Sequence, residues 1–212
     1  MRLSGLIPVV LVLFFSAPAF AQGWIVFVDQ EQFFSINFPH EPEVEDITYL
    51  SEYGRTLSAR FYTTQDNGAT YSLTVVDYAD TQITDVRGAV AWAAWHIRQR
   101  DAEVTFDAYA QIDRIEGHQL QLTNPDQSRT FIGLHVHDRR LYFLEAVVPP
   151  RRPPPAMFQV SLSILDQNGD RVRYVVDANG QRERVQPGTG GAQFVPAQEQ
   201  FTTGAAGGAE GQ

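Results

Sequence analysis

Along most of this chain apolar and polar residues alternate, and in one stretch they do not. In residues 84–100, TDVRGAVAWAAWHIRQR, the apolar positions Val86, Val90, Ala93, Ala94 and Ile97 recur at steps of three and four. That spacing places them on one side of a 3.6-residue helix, as a stripe able to cover a sheet, and Trp92 and Trp95 widen it. Thr84 or Asp85 offers an acceptor to the first free N–H groups. Arg98 and Arg100 put positive charge in the last turn, where it complements the helix dipole.

Everything on either side of this helix reads as strands. Residues 24–28 and 33–38 are short apolar runs separated by DQEQ, a hairpin or a strand with its lead-in, and Phe34, Ile36 and Phe38 alternate with Ser35 and Asn37. Leu57, Ala59 and Phe61 share a face on the next strand, and Tyr71, Leu73 and Val75 on the one after. Asp66-Asn67-Gly68 between them predicts a tight hairpin, because Asn-Gly accepts the positive φ angles such turns need. Beyond the helix Val104, Phe106 and Ala108 alternate, then Leu120 and Leu122, with Glu116-Gly117 and Asn124-Pro125-Asp126 as the expected turns. His118 shares parity with the two leucines and reads as half-buried with a local hydrogen bond. The prolines of residues 149–155 form a stiff connector, after which a short helix is expected near Pro155 or Ala156.

Candidate chemistry is sparse. The strand of residues 130–137 puts Ile132, Leu134 and Val136 on one face and His135 and His137 on the other. A three-residue loop, Asp138 to Arg140, sets Leu134 opposite Leu144 and is preferred, because a two-residue loop would bring Glu145 onto the apolar face. In the preferred register Glu145 lies one diagonal step from His135. His135, His137 and Glu145 are then a candidate divalent-metal set, able to activate water if a coordination position stays open; two histidines alternating out of a strand also serve simply as a polar face. Trp92, Trp95 and His96 are a candidate stacking platform for a ring or a sugar, although aromatic residues at helical spacing also serve as core.

Composition bounds the rest. With 212 residues, 43% of them hydrophobic, the chain can bury one sizeable core without help from metals or disulfides. It has no cysteine, which removes thiol catalysis, and no lysine, which removes Schiff-base chemistry. Residues 1–21 fit a secretory signal peptide: Arg2, an apolar run over residues 6–15, and Ala19-Phe20-Ala21 before the cut. That run spans about half of a hydrocarbon layer roughly 30 Å thick, so no membrane span is expected once the leader is removed. The net charge of -9 makes nucleic acid a poor partner. No GxSxG, SxxK or phosphate-cradling glycine loop occurs, and no cofactor is called for.

Asp166-Gln167-Asn168-Gly169 and Asp177-Ala178-Asn179-Gly180 repeat eleven residues apart, which predicts two tight turns joining three short strands. As a calcium loop the first is out of pattern, with Arg171 at the sixth position and glycine at the fourth. Residues 187–212, rich in Gly, Gln and Ala, are expected to form a disordered tail.

Phe34-Ser35-Ile36-Asn37-Phe38-Pro39, one long helix in mid-chain, Gly117-His118-Gln119-Leu120, Leu141-Tyr142-Phe143-Leu144 and Phe158-Gln159-Val160-Ser161-Leu162 together resemble the PsbP-like family, over residues 24–165. That resemblance implies an α+β fold: a single antiparallel sheet packed with one long helix and a shorter C-terminal helix, as an α/β/α sandwich. It implies no common catalytic set, and members act mainly as binding or assembly modules. The expected organisation is therefore a signal peptide at 1–21, a domain at 22–165, a turn-and-strand extension at 166–186 and a tail at 187–212. The leading expectation is a periplasmic or secreted non-catalytic interaction module whose partner is another periplasmic or envelope protein. A binder of a small apolar or aromatic ligand is the alternative, and a metal-dependent hydrolase using His135, His137 and Glu145 is the third class.

Overall fold

The computed structural model describes residues 23–79 and 87–186. The expected signal peptide, the proposed N-terminal caps Thr84 and Asp85 with Val86, and the glycine-rich tail lie outside them. In chain order the strands of the main sheet are β3 (Glu43–Leu50), β4 (Thr56–Asp66), β5 (Ala69–Asp77), β6 (Glu103–Ile112), β7 (Ile115–Thr123), β8 (Arg129–His137) and β9 (Arg140–Val148). They form one seven-stranded sheet in the order β3-β4-β5-β9-β8-β7-β6, antiparallel at every pairing. Asn67 and Gly68 both take positive φ, 49° and 79°, and close the β4-β5 hairpin.

Each face of this sheet has its own cover. On one, α1 (Arg87–Arg98) lays Ala89, Ala93, Ala94 and Ile97 over Val76, Leu120, Leu122, Ile132, Leu134 and Leu141, with Val90 half-buried at the margin. Three of the four covering residues are alanines, so the helix backbone approaches closely. On the other face lies a three-stranded sheet of β1 (Ile25–Asp29), β2 (Phe34–Phe38) and β10 (Ser163–Ile164), with α2 (Ala156–Gln159) beside it. Phe34, Ile36, Phe38 and Phe158 pack there against Tyr62, Tyr71, Leu73, Phe131, Tyr142 and Leu144. Two buried hydroxyls of this layer donate hydrogen bonds: Tyr62 Oη to Asp29 Oδ2 at 2.6 Å and Tyr142 Oη to the carbonyl of Gln32 at 3.1 Å. The tyrosines thus fill the core without leaving a polar atom stranded.

The expected fold class is corrected. The protein is mostly strand, with three sheets among the described residues rather than one packed between helices. The reason lies in β1, β2 and β10: they form a separate layer that takes the place of a second helix, while α2 ends after Gln159, where Leu162 and Ile164 turn inward along an extended segment. β3 had no counterpart in the sequence reading. It is an edge strand with no fully buried residue, so its sequence carries little alternation.

Three local expectations also fail. The β6-β7 turn is Asp113-Arg114, both at positive φ, and Gly117 lies inside β7. A bulge between Val104 and Phe106 sends these two side chains to opposite faces. The β8-β9 loop has two residues, Asp138 and Arg139, also both at positive φ, which pairs Ile132 with Glu145 and Gly133 with Leu144. Glu145 is accommodated on the helix side because Arg100, just beyond α1, donates two hydrogen bonds to its carboxylate at 2.8 and 3.0 Å.

The chain after β10 makes the two Asp-x-Asn-Gly turns. Asp166 Oδ1 accepts from the amides of Asn168 and Asp170, Asp177 Oδ1 from those of Asn179 and Gln181, and Gly169 and Gly180 sit at φ 82° and 80°. β11 (Tyr174–Val176) and β12 (Arg182–Arg184) pair across the second of these turns. This extension is tied to the β6-β7 turn by Arg171, whose Nε donates to Asp113 Oδ2 at 2.5 Å, and closed on itself by an Arg184–Asp166 ion pair.

Candidate functional site: the two flanks of the central helix

The uncommitted chemistry of the molecule gathers on either side of α1. On the flank towards β3, Trp92 and Trp95 stack with ring centroids 5.5 Å apart and planes 20° from parallel, and His96 sets its edge against both at 4.5 and 4.8 Å. Helical spacing accounts for both contacts of Trp92, since residues three and four apart are neighbours on a helix surface, while Trp95 and His96 are adjacent in the chain. Trp92 Nε1 donates to the carbonyl of Leu50 at the end of β3, 3.2 Å away, which holds the pair to the sheet. The two tryptophans are not core. Trp95 is 48% exposed, Leu50 57% and Tyr53 56%, so an aromatic and aliphatic surface stands uncovered by the described residues. A shallow cavity of about 230 Å³ beside it runs in under the helix between Leu50, His96 and Phe143.

On the opposite flank a cleft of about 530 Å³ opens between α1 and the ends of β6, β7 and β8. Val90, Ala91, Ala94 and Val136 give it apolar walls, and Tyr109 closes one side. Its polar rim is built from pairs. Arg98 donates to both oxygens of Asp107, at 2.6 and 2.9 Å, and His118 Nε2 lies 2.5 Å from Asp107 Oδ1. Hydrogen bonds from Arg98, reinforced by His118, hold the Asp107 carboxyl down to about 2. Arg87 and Glu116 form a second pair across the mouth at 3.3 Å. His118 is the half-buried, locally bonded residue that its parity with Leu120 indicates.

The candidate metal residues are not brought together. His135 and His137 point to the face of the small sheet, whereas Glu145 is on the helix face with Arg100. His135 is 4% exposed; its ring hydrogen-bonds the backbone of Ile115, Nδ1 has no partner, and burial lowers its pKa to about 4. The ring lies across Gly117 on the neighbouring strand, where a Cβ would stand 2.3 Å from Nδ1. His137, at the sheet's end, sets its ring edge-on to Tyr174 with centroids 6.1 Å apart, and burial lowers its pKa too. Among the described residues no three His, Asp or Glu side chains form a metal-holding group.

A scan against family models and a search of curated proteins return no match. Among solved structures, the chain is similar to the solution structure of cyanobacterial PsbP from Synechocystis sp. PCC 6803. The TM-score is 0.48 and the identity 11%, over 70% of this chain and 96% of that one. The likeness is one of fold. The matched protein is a PsbP, the family whose motifs the sequence resembles. None of the helices among the described residues is long and apolar enough to cross a membrane.

Proposed function

We propose that the protein is a non-catalytic interaction module of the cell envelope, exported by its leader, that docks a partner protein on the Trp92, Trp95 and His96 flank of α1. The observation that carries this reading is the exposed Trp95, stacked on a half-buried Trp92, with Leu50 and Tyr53 also exposed. Tryptophan and tyrosine are enriched where proteins bury surface against one another, and a stacked pair held by Leu50 is ordered before binding, so little side-chain entropy is lost on contact. A sugar or a small ring fits less well, because the pair sits on the outward side of a helix, whereas small-ligand sites enclose most of their ligand. The expected result is that tagged mature protein captures one partner from periplasmic extract. Trp95→Glu should lower the recovered amount at least about tenfold, as the loss of a central anchor does, with circular dichroism unchanged. Equal recovery by both proteins removes the reading.

A second reading, a carrier of a small apolar ligand, draws on the cleft on the other flank. Filling it with Ala94→Phe is unsuitable as a test, since Ala94 is buried against the sheet, but Ala91 is exposed at its lip. Ala91→Trp should abolish binding of a fluorescent apolar probe such as anilinonaphthalene sulfonate; probe binding that survives this change argues against the cleft.

A further inference from the structure

The two edges of the main sheet are not protected alike. β3, at one edge, carries Glu43 and Glu45 besides Asp46, which Arg60 pairs at 3.0 Å, and such charge deters a further strand from adding. β6, at the other, pairs among the described residues only with β7, and no residue in it is fully buried. Its charges are Glu103, at the start, and Asp107, which is ion-paired with Arg98 and hydrogen-bonded to His118. Tyr109 is 60% exposed and Phe106 43%. The bulge at residues 104–106 kinks the strand, so the regular part of the open edge is the segment 106–112, FDAYAQI.

We propose that β6 pairs with β6 of a second copy of this chain, antiparallel about a two-fold axis through Tyr109, so that two main sheets join edge to edge. In an antiparallel ladder directly opposed residues share a face, which restricts a symmetric pairing to registers centred on a single residue. Centred on Asp107, the ladder sets two carboxylates face to face. Centred on Ala108, it sets Asp107 against an aromatic ring and leaves Phe106 opposite only Ala110. Centred on Tyr109, it opposes Tyr109 to its symmetry mate, Ala108 to Ala110, Asp107 to Gln111 and Phe106 to Ile112. Aromatic and aliphatic groups then meet like groups, an acid meets an amide, and the alanines leave room for the rings to lie across them. The bulge ends the ladder just beyond Phe106. This surface is separate from the tryptophan flank, and the inference does not rest on the docking function proposed for that flank.

The test uses the mature full-length protein. Sedimentation equilibrium should show a dimer as the concentration rises towards about 200 µM, and added salt should tighten it, because two chains this acidic repel one another at long range. Tyr109→Glu, which places two carboxylates across the axis, should weaken association at least about tenfold, as like charges directly opposed do, while Trp95→Glu leaves it unchanged. Register is read separately. The chain has no cysteine, so Tyr109→Cys should oxidise to a single disulfide-linked dimer, and Gln111→Cys, which faces Asp107 in this register, should not. A wild-type protein that stays monomeric throughout overturns the proposal. So does Gln111→Cys cross-linking as fast as Tyr109→Cys, and a monomer whose β6 amides become protected by an added extended peptide shows that another chain takes that edge.

Discussion

Gly117→Ala is expected to destabilise the fold by about 3 kcal/mol, at the upper end of what overpacking costs. The new methyl group would stand 2.2 Å from the carbonyl oxygen of Leu134 and 2.3 Å from His135 Nδ1. The first of these is backbone of the neighbouring strand, which cannot turn aside as a flexible side chain can. Gly117 is not required by its φ angle; it is required because the His135 ring occupies the space above it. Urea unfolding of the wild type and the variant checks this directly. A companion change, His135→Ala in the Gly117→Ala background, removes one of the two clashes and should recover part of the loss. If Gly117→Ala unfolds within about 0.5 kcal/mol of wild type, the ring does not sit on the glycine as described.

The second large effect is acid sensitivity. His135 keeps a pKa of about 4 in the folded protein because burial disfavours its charged form, against 6.5 for the free side chain. Between those two values the unfolded chain takes up a proton that the folded chain does not, so stability falls with pH from about 6.5 to about 4 and then levels off. The full shift corresponds to about 3 kcal/mol. His137, also lowered by burial, acts in the same direction. Asp107, held at about 2, gives up its contribution only as pH falls below its ordinary value of 3.8 towards 2, so the window above belongs to the histidines. Urea midpoints at pH 7.5 and 4.5 should differ clearly in the wild type and by much less in His135→Gln. An equal drop in both proteins would place the sensitivity elsewhere.

These two residues also show where sequence patterning stops being informative. Alternation read the strands correctly wherever one face of a strand meets a dense core: Phe34, Ile36 and Phe38 in β2, and Tyr71, Leu73 and Val75 in β5, are buried together. Helical spacing likewise identified Ala93, Ala94 and Ile97 as the covering stripe. It failed at the edges, where β3 buries nothing fully, and at Gly117, because a glycine that seats a ring and a glycine that makes a turn look the same in one dimension. The turns fell instead to Asp113-Arg114 and Asp138-Arg139, dipeptides with no strong turn signal that still hold positive φ. That two-residue loop at 138–139 changed the register, and with it the candidate metal set, since one residue of slip moves Glu145 to the other face. The three aromatic residues of α1 were legible as a group from their spacing. Their exposure was not, because it depends on how much of the helix circumference Ala89, Ala93, Ala94 and Ile97 leave over.

The way β6 is held has a consequence for how the molecule comes apart. A strand with no fully buried side chain, joined to its sheet by a single ladder, is where opening by thermal fluctuation is cheapest; β3 and β6 both fit, and of the two β6 carries fewer acids to keep another chain away. Once it peels away, Leu120 and Leu122 of β7 lose their shelter and present an apolar border to whatever chain is nearby. The route to irreversible clumping on heating therefore starts at the 103–112 hairpin arm, well before the doubly covered strands β8 and β9 let go, and whatever seats itself along that arm protects the protein in storage.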